Sequence, residues 1–150
     1  MKKTHLIAGL LTWITLSNYL KLLEPRTLLL SVIATILPDF DIKFKHRALF
    51  HNIFATLIST AIVFLYFGTL GAIFFALAYF SHLLLDSLTK AGVSILYPIS
   101  KRRYGFRLFR NGSLFDKFLF LSFTVAFTLL FIKRFSSVKF TEFLKEILLP

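Results

Sequence analysis

Two apolar segments, at about residues 49–67 and 70–88, follow one another with only a short uncharged turn around Gly68 and Gly71 between them. Each is close to the roughly 20 residues a helix needs to cross a bilayer, so the pair predicts an antiparallel helical hairpin within a membrane. Three further apolar segments lie at about residues 4–23, 27–37 and 114–132. The first is closed by Glu24-Pro25, with Pro25 placed to open the next helix. The second is about 11 residues long before Pro38, too short to span hydrocarbon alone. A last stretch, 140–149, mixes Glu142, Lys145 and Glu146 with Phe and Leu, as an interfacial amphipathic helix would. The expectation is all-α: one domain over residues 1–150, an integral membrane bundle of about five helices plus a C-terminal interfacial helix. Composition agrees, since 57% hydrophobic residues, 20 Phe and a mean hydropathy of +0.76 exceed what a soluble domain carries. Met1-Lys2-Lys3 ahead of an apolar run has the charge pattern of a secretory signal, but no small-residue cleavage site follows. A retained first helix is therefore expected.

If the segments alternate in direction, the N-terminus, the 39–51 connection and the 90–112 loop share one face. That face then holds Lys2, Lys3, Lys43, Lys45, Arg47, Lys90, Lys101, Arg102, Arg103, Arg107, Arg110 and Lys117, against Lys21, Arg26, Lys133, Arg134, Lys139 and Lys145 opposite. The positive-inside rule makes the first face cytoplasmic. It also collects every candidate ligand: His5, Asp39, Asp41, His46, His51, His82 and Asp86. Ionisable groups in or beside membrane segments cost several kcal/mol unless paired, solvated or ion-bound, so such a gathering reads as functional. With no Cys in the chain, disulfides, thiolate zinc sites and Cys nucleophiles are excluded, and His and carboxylates are the strong metal ligands that remain.

His82 and Asp86 are four apart in Ser81-His82-Leu83-Leu84-Leu85-Asp86, which on a helix stacks them on one face, able to grip one ion. The bland reading is a capping Asp and a polar histidine at a helix contact. Asp39 and Asp41 share a side if the backbone after Pro38 is extended, and otherwise serve as a solvated loop or an N-cap. His46 and His51, five apart, do not stack; His51 is the better ligand and His46 suits a neighbouring or substrate-facing role. His5 is followed one turn later by Gly9, which leaves room for a close neighbour. Arg47 is either an ordinary interface cation or a cation facing an anionic substrate. The run from Lys101 through Arg102, Arg103, Tyr104, Phe106 and Arg107 to Arg110 interleaves cations and aromatics. Beside membrane helices it suits anionic lipid headgroups better than nucleic acid. Ser113 to Asp116 fits a capping box opening the last apolar segment.

The ordered set resembles the YdjM-like family of membrane-bound metal-dependent hydrolases. It comprises His5 and Gly9, Leu37-Pro38-Asp39-Phe40-Asp41, His46-Arg47 with His51, Ser81 to Thr89 with Gly92, Leu96-Tyr97-Pro98, and Gly112 to Asp116. It departs from the family pattern at Phe50-His51-Asn52, where Thr-His-Ser is usual, and at Asp116, where Glu is more usual. The family is distantly similar to zinc-dependent phospholipase C and P1-type nucleases. That resemblance implies one to three zinc ions, with manganese as the alternative. Asp39 or Asp41, His51, His82 and Asp86 would hold one, and His5 and Asp86 would contribute to a second.

The expected function is a metal-dependent hydrolase acting on a phosphoester of a lipid or lipid-linked molecule at the cytoplasmic face of the cell membrane. In that reading Asp39, Asp41 and His46 serve catalysis, and Arg47, Arg102 and Arg103 hold an anionic group. The alternative is a non-enzymatic membrane protein that uses the same groups for a structural ion or for anionic lipid. A transporter fits less well, because the later helices carry only Ser and Thr at mid-membrane.

Overall fold

The structure, a computed structural model, describes residues 2–44 and 48–137. These contain four α-helices, α1 (Lys2–Leu20), α2 (Pro25–Ile36), α3 (Ile53–Leu88) and α4 (Leu114–Ser137), with a 3₁₀ segment at Leu37–Phe44. The described residues hold no named strand, as the all-α expectation required. His46, Arg47 and the expected interfacial helix at 140–149 lie outside them.

Each boundary has a local cause. α1 stops at Leu20 because Lys21 takes a left-handed conformation (φ 53°) and Leu22 N–H returns to the Ser17 carbonyl, a Schellman closure three residues before the Glu24-Pro25 stop that the sequence suggested. α2 opens at Pro25, whose missing N–H costs nothing in a first turn. Asn52 caps α3 by accepting from Ala55 N–H at 2.8 Å. The expected capping box at α4 is half formed: Ser113 accepts from Asp116 N–H, but the Asp116 carboxylate takes Gly112 N–H at 2.7 Å and the Thr4 hydroxyl at 2.6 Å. Asp116 thereby ties α4 to the helix that carries His5.

The expected third and fourth helices run together as the 36-residue α3, which as a straight rod would be about 54 Å long. Its two ends instead touch. Tyr79 donates its hydroxyl to the Phe50 carbonyl at 2.6 Å, and His51 Nε2 lies 3.1 Å from Asp86 Oδ2. The reversal is made at Gly68, where φ 69° and ψ −173° leave the helical region. Left-handed φ is open to glycine at no steric cost, and the antiparallel hairpin follows.

Two helices are long and apolar enough to cross a membrane, Ile53–Leu88 and Leu114–Ser136, where a bundle of about five had been expected. α2 has only 12 residues, and α1 begins with two lysines. Only 6% of the most apolar window of α4 is buried. Its apolar surface is therefore left for lipid rather than protein to cover.

One apolar cluster joins Trp13 and Ile14 of α1, Leu23 of the α1–α2 connection and Phe74 of α3, and packs on Phe127, Leu130 and Phe135 of α4. A second joins Leu30 and Ala34 of α2 to Val63, Phe75, Ala78, Tyr79 and Leu83. α1 and α2 approach closely because Gly9 faces Thr35, and a Cβ at Gly9 would land on the Thr35 hydroxyl. The 89–112 loop is not loose: Phe106 and Leu108 N–H groups satisfy the Ser87 and Leu88 carbonyls, and Lys90 bonds Phe109. These are carbonyls that a helix end otherwise leaves unpaired.

The Gly9 contact is testable. Gly9→Ala should destabilise the detergent-solubilised protein by about 1–3 kcal/mol through overpacking, and adding Thr35→Ala should recover part of the loss. A double variant no more stable than Gly9→Ala would show that the close approach is not at Thr35.

Candidate metal centre

Five ionisable side chains from four places in the sequence meet at one end of the bundle. α1 brings His5 at the end of its first turn, the 3₁₀ segment brings Asp39, the turn before α3 brings His51, and the last turns of α3 bring His82 and Asp86. Helical spacing puts Tyr79, His82 and Asp86 on a single stripe of α3 facing this point. His82 is fully buried, and His5, His51 and Asp86 are nearly so.

Asp86 is the hub. Its Oδ1 lies 3.4 Å from His5 Nε2, and its Oδ2 lies 3.1 Å from His51 Nε2 and 3.5 Å from His82 Nε2. Asp39 Oδ1 approaches His82 Nε2 at 3.9 Å. The His5 and His82 rings have centroids 4.0 Å apart, and those of His51 and His82 are 5.4 Å apart.

Two of the imidazoles have their tautomers set from behind. His82 Nδ1 is 2.8 Å from the Thr35 carbonyl, which only accepts, so Nδ1 carries the proton and Nε2 presents a lone pair. His51 Nδ1 is 3.3 Å from Asp41 Oδ2 and 3.1 Å from Oδ1, which leaves its Nε2 bare in the same way. Neither lone pair, nor either ring nitrogen of His5, has a hydrogen-bond partner. A buried polar atom in that state costs about 1–3 kcal/mol, and several of them point at one small volume.

Two donor sets have all their ligand atoms within 4.8 Å of one another: His5, Asp39 and His82, and His51, His82 and Asp86. Because His82 has one free nitrogen, it can serve only one of them at a time. Imidazole nitrogens without hydrogen-bond partners beside buried carboxylate, two of the rings held from behind by carbonyl or carboxylate, are the donors a divalent ion takes. The residues present fit such an ion.

The structure thus gathers His5, Asp39, His51, His82 and Asp86, as the sequence had suggested. Asp41 stands on the opposite side of the His51 ring, where it also accepts from Phe50 N–H at 3.0 Å. Its carboxylate orients His51 and lies outside both donor sets. Arg102 and Arg103 are exposed on the 89–112 loop, with the Arg102 guanidinium 5.5 Å from the Tyr104 ring centre. Sequence reasoning missed Thr35 and Tyr79. A signal existed for Thr35: Thr27, Ser31 and Thr35 recur every four residues on α2, each hydroxyl bonded four or three residues back, forming a polar stripe on an otherwise apolar helix. For Tyr79 the signal was its place one turn before His82.

A protein-family model described as the YdjM inner membrane protein matches residues 1–144. The chain belongs to the YdjM inner membrane protein family. No curated protein and no solved structure gives a match. Membership of the YdjM family and the two long apolar helices make this a membrane protein, with the His and Asp cluster at one end of its helices.

His51 sits just outside α3. Burial pulls its pKa down, but the neighbouring Asp86 and Asp41 carboxylates outweigh burial and hold it above the ordinary 6.5. In metal-free protein the stability this adds is complete below the unfolded-state value and is lost as pH rises through the higher folded-state value. The melting temperature of chelator-treated protein should therefore fall as pH rises above the ordinary histidine value of 6.5. His51→Gln should flatten that fall, and equal slopes in the two proteins would refute the assignment.

Proposed function

We propose that this chain is a membrane-bound, metal-dependent hydrolase that cleaves a phosphoester of a lipid or lipid-linked substrate at the cytoplasmic face. The observation that carries the reading is the convergence of buried, unpaired imidazole nitrogens on the Asp86 carboxylate.

In this reading His51 Nε2, His82 Nε2 and Asp86 Oδ2 hold one ion, and His5, Asp39 and Asp86 Oδ1 are the donors available to a second. Three imidazoles with two carboxylates suit zinc first, with manganese as the alternative favoured by the oxygen donors. A bound divalent ion of this kind supplies Lewis acidity toward a phosphoryl oxygen and makes water a nucleophile near neutral pH. The protein's own groups do the remainder. Thr35 and Asp41 accept from the outer ring nitrogens of His82 and His51, so that in the neutral rings the lone pair would lie on the ligand side. Asp39, with a side chain 16% exposed against 9% for Asp86, is the carboxylate nearest solvent and is placed to take a proton from the attacking water. His46 and Arg47 belong to the expected site but lie outside the described residues. The cytoplasmic assignment is supported by the cations at this end, from Lys2 and Lys3 to the 101–110 run.

The depth of burial favours a second reading, in which the ion only braces the bundle. Bundle-core metal sites built from facing helices serve both purposes. The distinguishing experiment measures metal content and hydrolysis of phosphomonoester and phosphodiester lipids by purified protein. Wild type should carry zinc and hydrolyse at least one substrate, with activity lost to chelator. His82→Ala and Asp86→Ala should lose both metal and activity, and Asp41→Asn should bind metal about 10–100-fold more weakly. Full metal content in both alanine variants would overturn the site, whereas metal without hydrolysis across the panel would leave the structural ion.

A further inference from the structure

Beside the cluster runs an apolar groove of about 490 Å³ lined by Leu37, Phe50, Phe54, Ile58, Ile62 and Pro98, among others, a volume typical of small-molecule sites. Phe50 and Asn52, which flank His51, form one end of it, and Leu37 lies two residues before Asp39. From there the groove follows the first arm of α3 toward Ile62, over residues spaced one helical turn apart.

The wall asks nothing polar of its occupant. Asn52 spends its amide on the Ala48 and Leu49 carbonyls and its oxygen on Ala55 N–H, and Ser59 donates to the Ala55 carbonyl. Ile58 and Ile62 remain 62% and 51% exposed on one of the two helices apolar enough to cross a membrane, so the groove opens toward lipid. At the cluster end the sign of charge changes. The segment that supplies Pro98 continues into Lys101, Arg102 and Arg103, all exposed, with Arg102 at most about 15 Å of chain from the groove wall.

We infer that the groove holds one hydrocarbon chain of an anionic membrane lipid, oriented so that its headgroup lies between the Lys101 to Arg103 cations and the His and Asp cluster. The headgroup orientation rests on the hydrolase reading; occupancy of the groove does not. The arrangement lets the bilayer deliver a lipid sideways, chain first along α3, and sets the head where the donors converge. It also selects for a lipid with an extended apolar chain over a soluble phosphoester.

The test uses the full chain in lipid nanodiscs containing an anionic phospholipid with a photoreactive group midway along one acyl chain. Crosslinks are mapped by mass spectrometry. Label should concentrate on Phe54, Ile58 and Ile62 and exceed that on Leu121 and Leu129, positions of α4 of similar or greater exposure. Ile58→Trp, at an exposed position that tolerates bulk, should reduce groove labelling about tenfold, the effect of leaving about two methylenes unburied. Ala55→Phe provides the same block from the groove floor should Ile58→Trp fail to fold. Retained zinc content in each variant checks that the site is intact. Label spread evenly over α3 and α4, labelling undiminished in a folded variant, or protein-to-protein crosslinks through Ile58 in place of lipid would each overturn the inference. Equal labelling by a zwitterionic lipid would overturn its anionic part. Groove labelling without hydrolysis of any phosphoester would sink the hydrolase reading and leave the groove standing.

Discussion

Nearly everything at the working end of this bundle answers to one electrostatic constraint. Three imidazoles are withdrawn from water, and each has a ring nitrogen within about 3.5 Å of the buried Asp86 carboxylate. Burying such groups without partners is unfavourable by several kcal/mol in sum. Packing of the surrounding helices has to offset that cost, and in the proposed reading a bound divalent ion would offset it too. The hydrogen bonds behind the cluster have the same purpose. Thr35 and Asp41 occupy the outer nitrogens of His82 and His51, so the lone pairs that remain have only one direction to face.

The helices are arranged as that convergence demands. Folding α3 back at Gly68 returns Asp86 to His51, and without the reversal the two would be separated by the length of the helix. α2 is short and never needs to span; its role is to turn the chain and to present the Thr35 carbonyl. Gly9 allows α1 to lie close enough that the His5 and His82 rings come within 4.0 Å, centre to centre. Asp116 fastens α4 to Thr4, next to His5, so the fourth helix braces the site without donating a ligand. The apolar side of α4 is left bare, because lipid rather than protein is its neighbour.

The family match supports the membrane setting, and the geometry supports ion binding. Chemistry at the site is a separate step, and the adjoining groove bears on it. In the proposed reading a lipid-cleaving site would use both the apolar groove, lined by the residues that flank His51, and the basic segment that follows Pro98.

Much of this was legible in the residues. Apolar length and the Gly68 break predicted the hairpin, because glycine alone turns so sharply at no cost. His82 and Asp86 at helical spacing, Asp39 after Pro38, His51 and His5 were identifiable because ionisable side chains are costly near lipid. Local sequence could not show that Asp41 serves His51 from outside, since Asp39 and Asp41 are chemically identical and only three-dimensional packing decides which oxygen faces which ring. Nor could it show that a backbone carbonyl at Thr35 and a hydroxyl at Tyr79 set the geometry, because those contacts join positions 47 and 29 residues apart. Sequence determined which groups would be expensive to bury. Tertiary structure decided which of them share a volume, because distance between side chains on different helices is a property of packing and not of spacing along the chain.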